Sequence, residues 1–422
     1  MSFETISVIG LGYIGLPTAA MFASRKKKVI GVDVNENAVN TINRGEIHIV
    51  EPELDILVHV AVNQGYLKAT LTPEPADAFL IAVPTPFLPC EKDGIPEPDL
   101  KYIKSAVKAI APVLKAGDLV ILESTSPVGA TEQMAEWLAA ARNDLTFPQN
   151  NAEDSDIRIA HCPERVLPGH VVRELVENDR VIGGLTAKCS RTAVELYEIF
   201  VEGECVVTNA RTAEMAKLTE NSCRDVQIAF ANELSIISDE LGIDVWELIS
   251  LTNRHPRINI LQPGPGVGGH CIAVDPWFIV SKTPELAHLI HTARKVNDAK
   301  PEWVINKVKI AISDFLQANP DKTAKEVTIS CYGLAFKPNI DDLRGSPAMV
   351  IAQKIVEMHS GRVLAVEPNI QLLPSVLQGI ELVDFQSALA EADVQVLLVD
   401  HKEFGGVKIN TGIVIDTKGI WG

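Results

Sequence analysis

Residues Ser7-Val-Ile-Gly10-Leu-Gly12-Tyr-Ile-Gly15 form a G-x-G-x-x-G pattern between an apolar run that predicts a β-strand and a stretch that predicts a helix. In such a unit the first glycine permits a tight turn, the second lets a pyrophosphate approach the backbone, and the third lets the helix pack on the sheet. The phosphates then lie at a helix N-terminus, which favours anions. The stretch predicts a dinucleotide site; the alternative is that the glycines serve only turns and packing.

An acidic residue follows at the spacing that a ribose contact requires. Asp33 ends the next predicted strand, 33 − 15 = 18 residues after Gly15, close to the interval of about 20 expected for a ribose-binding carboxylate. A carboxylate there accepts hydrogen bonds from ribose hydroxyls and repels a 2′-phosphate. The sequence therefore predicts NAD rather than NADP as the cofactor.

Short apolar runs alternate with helical patterns at both ends of the chain, which is typical of parallel sheets covered by helices on both faces. In the first half, strands are predicted at Ile6–Gly10, Val29–Asp33, Phe79–Val83, Leu119–Glu123, Ile157–His161 and Arg180–Gly183. Helices are predicted between them at about 14–25, 35–44, 53–64, 100–113 and 131–142. In the last hundred residues, strands are predicted at Val327–Gly333, Val363–Glu367, Val394–Val399 and Ile413–Asp416.

The middle of the chain is helical instead. Arg211–Leu241 contains neither proline nor glycine and predicts one long helix that ends at Gly242. Two more helices are predicted at Asp244–Asn253 and Pro284–Leu316, separated by the glycine- and proline-rich loop Gln262–Cys271. We predict an α/β protein with an N-terminal Rossmann domain (residues 1–205), a central all-helical domain (206–317) and a C-terminal Rossmann-like domain (318–422), with linkers near 203–210 and 318–326.

Composition excludes several classes of partner. With 55 acidic and 38 basic residues, the net charge of −17 argues against non-specific nucleic-acid binding. No apolar run reaches the length of about 18 residues that a membrane span needs. Ile6–Ala23 has Glu4 before it and basic residues after it, the reverse of a signal peptide. Seven cysteines without a Cys-x-x-Cys pair predict a reducing compartment, the cytoplasm, and no bound metal.

Two loops after predicted strands are candidate cofactor contacts. Val83-Pro-Thr85-Pro86 and Ser124–Thr131 both follow strands at the carboxyl edge of the predicted sheet, where open α/β sheets bind ligands. Thr131 is equally a candidate N-cap of the next helix.

Gly268-Gly269-His270-Cys271-Ile-Ala-Val-Asp275 places a cysteine on a loop that a substrate can approach closely. If this loop opens a helix, the helix dipole lowers the thiol pKa and raises the thiolate fraction. Asp275, four residues on, can face the same site. The alternative is a buried structural cysteine.

Polar and cationic residues occur at further candidate positions. Lys217, Asn221 and Arg224 share one face of the long helix at spacings of four and seven, and an ammonium beside an amide can polarise one oxygen; a solvated face is the alternative. Cationic side chains that could bind a diphosphate also occur at three other places. They are Arg165, next to Glu164, the segment after the predicted helix Asp244–Asn253, and the segment from Phe336 to Arg344. Each of these alone can be an ordinary surface charge.

In their order along the chain, these motifs resemble the UDP-sugar 6-dehydrogenase family: G-x-G-x-x-G, V-P-T-P, S-T-x-P-x-G-x-T, P-E-R, E-x-x-K-x-x-x-N, G-G-H-C-x-x-x-D and F-K-P-x-x-D-D-x-R. The resemblance spans about residues 3–420. It implies that two NAD are reduced while the C6 alcohol of a UDP-sugar becomes a carboxylate. It also implies that the central domain forms a homodimer and that the C-terminal domain binds the UDP-sugar.

The resemblance assigns roles to five residues. Cys271 attacks the C6 aldehyde, and the reaction passes through a thiohemiacetal and a thioester. Lys217 acts as acid/base or oxyanion stabiliser with Asn221 as its partner, and Asp275 orders water and proton transfer. Glu164 matches a carboxylate implicated in thioester hydrolysis.

The resemblance also assigns contacts. Positions expected to contact NAD are Gly10, Gly12, Tyr13, Ile14, Gly15, Asp33, Thr85, Thr131 and Arg344. Positions expected to hold the UDP-sugar are Arg165, Val166, Lys217, Asn221, Arg224, His255, Arg257, Gly268, Phe336 and Lys337. Arg257 is expected to act across a dimer interface.

One departure bears on the substrate. Members that act on UDP-glucose typically have lysine before the aspartate that follows the cysteine, whereas this chain has Val274. This favours a UDP-N-acetylhexosamine and leaves the configuration of the sugar open. Two other interpretations remain: a two-electron NAD dehydrogenase of a small hydroxy acid, and a catalytically inactive nucleotide-sugar sensor.

Overall fold

The computed structural model describes residues 3–89, 94–167 and 169–421; Cys90, one of the seven cysteines, lies outside them. The chain forms two compact units. The first contains the residues up to Thr219 together with Trp277–Lys282, and the second contains Glu220–Pro276 and the residues from Thr283 onward. Each unit has a sheet of the predicted α/β type, mostly parallel in the first unit and parallel in the second.

The first unit is built on alternating strands and helices. Its elements are β1 Thr5–Ile9, α1 Gly15–Ser24, β2 Lys28–Val32, α2 Glu36–Asn43, α3 Leu54–Asn63, β3 Leu67–Thr70, β4 Ala78–Ile81, α4 Lys101–Ile110, β5 Leu119–Leu122, α5 Ala130–Ala141, α6 Pro148–Asn151, β6 Arg158–His161, α7 Val171–Glu177, β7 Arg180–Gly184, α8 Ala187–Tyr197 and β8 Cys205–Asn209. The six strands predicted here are all present, with ends that differ by at most two residues.

These strands form one sheet in the order β3-β2-β1-β4-β5-β6-β7-β8. All neighbours are parallel except β6 and β7. Ile6 and Val8 face one core cluster and Ile9 faces the other, as expected for a strand covered on both sides. Because the chain runs outward from β1 in both directions, the carboxyl ends of β1 and β4 flank the switch point where such sheets bind ligands.

The predicted linker near 203–210 is wrong. Cys205–Asn209 is the edge strand β8, which pairs in parallel with all of Arg180–Gly184. Its side chains are mostly exposed, so its sequence lacks the apolar run of a buried strand. The backbone ladder to β7, not burial, places it in the sheet.

Four helices follow: α9 Ala210–Leu241, α10 Val245–Thr252, α11 Asp275–Lys282 and α12 His288–Ala318. The long α9 is confirmed, and Asp244 caps α10 by accepting from the amides of Trp246 and Glu247. The prediction of one helix over Pro284–Leu316 is wrong at its start. A turn closed on the Thr283 carbonyl by the amides of Leu286 and Ala287 precedes α12, and α11 was not predicted.

The C-terminal part repeats the topology of the first sheet. It contains β9 Ile329–Tyr332, α13 Pro347–Met358, β10 Val363–Val366, β11 Ile380–Leu382, α14 Phe385–Glu391, β12 Val394–Leu397 and β13 Ile413–Asp416. All strands are parallel, in the order β11-β10-β9-β12-β13, which matches β3-β2-β1-β4-β5. In the described parts of the chain, no helix has the length and apolar character to cross a bilayer.

Candidate active site

The loop after β1 has the geometry that the glycine pattern predicts. Gly10 has a φ of +94°, and a Cβ there would lie 2.5 Å from the Ala82 carbonyl oxygen. A Cβ on Gly15 would lie 1.8 Å from the carbonyl oxygen of Gly10, so neither position tolerates a side chain. At Gly12, by contrast, a Cβ would meet no atom within 4 Å. The open side of the loop, before the N-terminus of α1, therefore fits a pyrophosphate.

Asp33 follows β2 and holds this loop. Its Oδ2 accepts from the amide of Leu11 at 2.9 Å, and its Oδ1 accepts from the amide of Asn35 at 2.8 Å. A carboxylate has about four acceptor sites, so lone pairs remain for ribose hydroxyls. Tyr13 is exposed and Ile14 is half-buried at the start of α1. These residues are the ones that would hold NAD.

A hydrogen bond connects the loop after β4 to the loop after β5. The hydroxyl of Thr85 donates to the carbonyl oxygen of Thr125 at 2.6 Å. The interpretation of Thr131 as an N-cap is wrong, because α5 begins at Ala130 and Gly129 is its N-cap residue. Thr131 is fully buried in the first turn.

Glu214 of α9 is a partner of this loop that sequence reasoning missed. Its Oε1 accepts from the amide and the hydroxyl of Thr131 at 2.8 and 2.6 Å, and its Oε2 accepts from the amide of Gly129 at 2.7 Å. Burial raises the pKa of Glu214, and these hydrogen bonds oppose the shift. The hydroxyl of Thr131 is thus engaged inside the protein, while its expected contact with NAD stays a prediction.

Glu164 is buried rather than open. Its Oε2 lies 2.6 Å from Nη1 of Arg180 on β7, and its Oε1 accepts from the amide of Arg165 at 2.7 Å. Arg165 also donates from Nη1 to the Asp179 carbonyl oxygen at 3.3 Å. Val166 is half-buried beside them.

A second buried carboxylate lies near this ion pair. Glu123, the residue after β5, accepts from the hydroxyl of Tyr197 at 2.6 Å. The guanidinium of Arg180 lies 5.0 Å from the centre of the Tyr197 ring. Burial raises the pKa of Glu123 to about 7, with Arg180 lowering it and Glu164 raising it. The motif that drew attention to Glu164 contains no signal for Glu123 or Arg180.

In the second unit, Cys271 is exposed on its glycine-rich loop. The helix that follows begins at Asp275, so the thiol precedes the helix by a turn in which the Cys271 carbonyl accepts from the amides of Val274 and Asp275. Asp275 is only 3% exposed. Nδ2 of Asn221 donates to Oδ2 of Asp275 at 2.5 Å, so the structure brings together two of the predicted catalytic residues.

The same loop lies against the segment after β9. A Cβ on Gly268 would lie 2.6 Å from Cδ of Pro347 and 3.0 Å from Cβ of Phe336. The amide of Gly269, whose φ is +84°, donates to the Gly345 carbonyl oxygen at 3.4 Å. Gly268 and Phe336, both predicted to hold the UDP-sugar, are therefore neighbours.

The segment after β9 also carries Lys337, which is expected to hold the UDP-sugar, and Arg344, which is expected to contact NAD. Lys337 is half-buried. Arg344 is exposed and forms a two-point ion pair with Asp342, with hydrogen bonds of 2.9 and 2.8 Å. Arg344 thus belongs to the second unit, and its expected contact with NAD stays a prediction.

Glu367 and His401 hold this segment and were missed from the sequence. Oε2 of Glu367 accepts from the amide of Leu334 at 2.7 Å and lies 3.0 Å from Nε2 of His401. The amide of Asn339 donates to Nδ1 of His401 at 3.0 Å, so Nε2 carries the proton that Glu367 accepts. Glu367 follows β10 as Asp33 follows β2, and each accepts from backbone amides of the segment that follows the neighbouring central strand.

The other predicted contacts lie on helices and turns. Lys217 and Asn221 are half-buried on α9 and Arg224 is exposed there, at the predicted spacing. His255 and Arg257 are exposed after α10. Asn253 closes this turn through two hydrogen bonds to the backbone of Ile260. Within the described ranges, no group of three or more His, Cys, Asp or Glu side chains could hold a metal ion.

Comparison with known proteins matches three consecutive parts of the chain to models of one family. Residues 4–201, 211–299 and 330–422 match the NAD binding domain, the central domain and the UDP binding domain of the UDP-glucose/GDP-mannose dehydrogenase family. The chain therefore belongs to this family. It is an NAD-dependent dehydrogenase with Rossmann-type domains at both ends and a helical central domain, which confirms the predicted family, fold class and cofactor.

Individual relatives cover the whole chain. It is 68% identical to the UDP-N-acetyl-D-mannosamine dehydrogenase of Yersinia pestis, with 100% of both chains covered. It is 64% identical to the NDP-N-acetyl-D-galactosaminuronic acid dehydrogenase of Ralstonia nicotianae, covering 100% of this chain and 97% of the relative. Among solved structures, the UDP-D-ManNAc dehydrogenase of Pyrococcus horikoshii has a TM-score of 0.86 at 37% identity, covering 99% of this chain and 96% of that one.

Proposed function

We propose that this enzyme oxidises C6 of UDP-N-acetyl-D-mannosamine to the carboxylate, with Cys271 as the covalent nucleophile. The observation that carries the proposal is an exposed cysteine on a loop packed against Phe336, with the Asn221–Asp275 hydrogen bond four residues further on. The full-length identity to a UDP-N-acetyl-D-mannosamine dehydrogenase supports the choice of sugar. The product is a nucleotide-sugar uronate for a surface polysaccharide such as enterobacterial common antigen.

Different residues of the chain act in the two oxidation steps. Bound NAD supplies the hydride acceptor for both oxidations, so two NADH form for each uronate. Lys217 and Asn221 stabilise the C6 oxygen as negative charge develops on it. The thiolate of Cys271 adds to the aldehyde carbon and keeps it bound as a thiohemiacetal; after the second oxidation the same sulfur carries the acyl group as a thioester.

Water then releases the product and restores the thiol. Asp275, held by Asn221, orders this water near the cysteine. Glu164, held by Arg180, is the second carboxylate proposed for hydrolysis. Arg165, Val166, Arg224, His255, Arg257, Gly268, Phe336 and Lys337 are proposed to hold the UDP-sugar.

We also propose that the protein is a homodimer formed by the central helices. Phe230, Ile237 and Leu241 recur on one face of α9 and are 53%, 46% and 65% exposed. Apolar groups grouped on one face are typical of a protein interface. Light scattering should give a mass of twice 45.8 kDa, and Phe230→Glu combined with Ile237→Glu should reduce it to that of one chain.

The substrate is tested with purified enzyme, NAD and a panel of UDP-ManNAc, UDP-GlcNAc, UDP-GalNAc and UDP-glucose, counting NADH per uronate. We expect two NADH per uronate and the highest kcat/KM with UDP-ManNAc. A preference for UDP-GalNAc is the second candidate, favoured by the 64% identical relative; UDP-GlcNAc is the third. One NADH per sugar would indicate a two-electron dehydrogenase, and binding without turnover an inactive sensor.

A further inference from the structure

One face of α9 holds both ends of the loop that carries Cys271. At the start of the loop, the amide of Gly264 donates to Oδ1 of Asn232 at 2.9 Å. At its end, Nδ2 of Asn221 donates to Oδ2 of Asp275 at 2.5 Å. The two asparagines are 232 − 221 = 11 residues apart, which is about three helical turns, so they share one face.

Asn232 is itself fixed in one orientation. It is fully buried, and its Nδ2 donates to Oδ1 of Asn297 on α12 at 2.9 Å. Asn297 donates to Oδ1 of Asp225 at 2.8 Å, and Arg294 donates to the same oxygen at 2.6 Å. A buried amide with both ends bonded specifies a single arrangement, because any rotation would leave polar groups unpaired.

The loop needs such anchors. Gly266 and Gly269 have φ values of +148° and +84°, and glycine-rich backbone has many alternative conformations when it is not held. Cys271 lies seven residues after Gly264 and four before Asp275. A shift at either anchor therefore moves the thiol.

We propose that Asn232 is a positioning residue, which holds the Cys271 loop through the Gly264 amide so that the thiol meets the aldehyde carbon. The inference rests on the proposed role of Cys271. Asn232 lies in neither the dinucleotide loop nor the segment after β9, so binding of NAD is expected to persist without it. Among the proposed UDP-sugar contacts, only Gly268 lies on the loop between Gly264 and Cys271, so the sugar is expected to keep most of its contacts.

The test is Asn232→Ala in the full-length enzyme. We expect kcat for uronate formation to fall by about tenfold to a hundredfold, because a misplacement of about 1 Å can cost a hundredfold. The KM for the UDP-sugar should change by a smaller factor than kcat. Aldehyde that escapes capture should raise the ratio of NADH to uronate above two. Alkylation of Cys271, measured by peptide mass spectrometry relative to exposed Cys223, should change in rate.

A control variant separates positioning from loss of stability. Val308→Ala removes buried core volume on α12. At a matched loss of Tm, it should keep a ratio near two and the wild-type alkylation rate of Cys271. Asn297→Ala, which removes the bond that orients Asn232, should show the changes of Asn232→Ala in weaker form. If Asn232→Ala does not fold, Asn232→Ser, which loses less volume, replaces it.

Failure of the Asn232 proposal and failure of the Cys271 proposal would give different results. Wild-type kcat, ratio and alkylation rate in Asn232→Ala would overturn the inference, as would the same changes in Val308→Ala at equal Tm. Uronate formation by Cys271→Ser would overturn the proposed nucleophile instead. In that case the alkylation rate of Cys271 in Asn232→Ala still reports whether Asn232 holds the loop.

Discussion

Nη1 of Arg180 lies 2.6 Å from Oε2 of Glu164, and the side chains are only 3% and 7% exposed. The arginine comes from β7, which runs antiparallel to its neighbour β6. A buried ion pair costs much desolvation, so its partners depend on each other. The carboxylate proposed for hydrolysis is therefore held in place by a residue outside its own motif.

Arg180→Leu should destabilise the protein by about 3–5 kcal/mol, because it leaves Glu164 charged and unpaired in the interior. Urea denaturation measures the loss. Arg173→Leu is the control, since Arg173 and Glu177 form a pair that is 74% and 52% exposed, and solvent screening leaves such a pair with little effect on stability. Adding Glu164→Leu to Arg180→Leu should recover much of the loss. Equal effects of Arg180→Leu and Arg173→Leu would contradict this account.

Glu123 should make stability depend on pH. Burial raises its pKa to about 7, above the value of about 4.3 for an exposed glutamate. The folded state then binds more protons, so the contribution is complete below about pH 4 and is lost as pH rises through about 7. Between pH 5 and 8 the wild type should lose about 2–3 kcal/mol more than Glu123→Gln.

Urea denaturation of both proteins at the two pH values gives this difference. His161 is also fully buried, and burial lowers its pKa to about 3. Because His161 is present in both proteins, its contribution cancels. Identical pH slopes for the two proteins would show that Glu123 does not titrate in this range.

Cys271→Ser should abolish uronate formation while the Kd for the UDP-sugar stays nearly unchanged. A serine hydroxyl is a far weaker nucleophile than a thiolate, but it occupies almost the same volume. Product analysis and calorimetric titration measure the two quantities. Cys223→Ser, at a second exposed cysteine among the described residues, should keep full activity. Normal uronate yield from Cys271→Ser would refute the covalent route.

Lys217→Ala should lower kcat by about a hundredfold or more and affect KM less. The ammonium stabilises charge that is largest in the transition state, so ground-state binding depends on it less. Steady-state kinetics separate the two constants, with Thr219→Ala on the same helix as the control. A rise in KM with unchanged kcat would show that Lys217 only binds the substrate.

The predicted features that the structure reproduces are short-range patterns. The glycine loop and Asp33 lie within 24 residues of one another, and α9 follows from a stretch without glycine or proline. These patterns express local backbone sterics and periodicity, which one sequence contains in full. The predicted start of α12 at Pro284 is wrong because the turn at Thr283 resembles a helix N-terminus in sequence.

The amino-acid sequence alone thus determined the central strands of the two α/β sheets, the long helix α9, the NAD loop and the segments that carry Cys271 and Phe336. Only the tertiary structure decided that Glu214 meets Thr131, that Arg180 meets Glu164, and that β8 joins the sheet. Glu214 and Thr131 are 83 residues apart. Such pairs form because packing brings distant segments together and buried polar groups must then find partners, and no local pattern records which distant residue will be there.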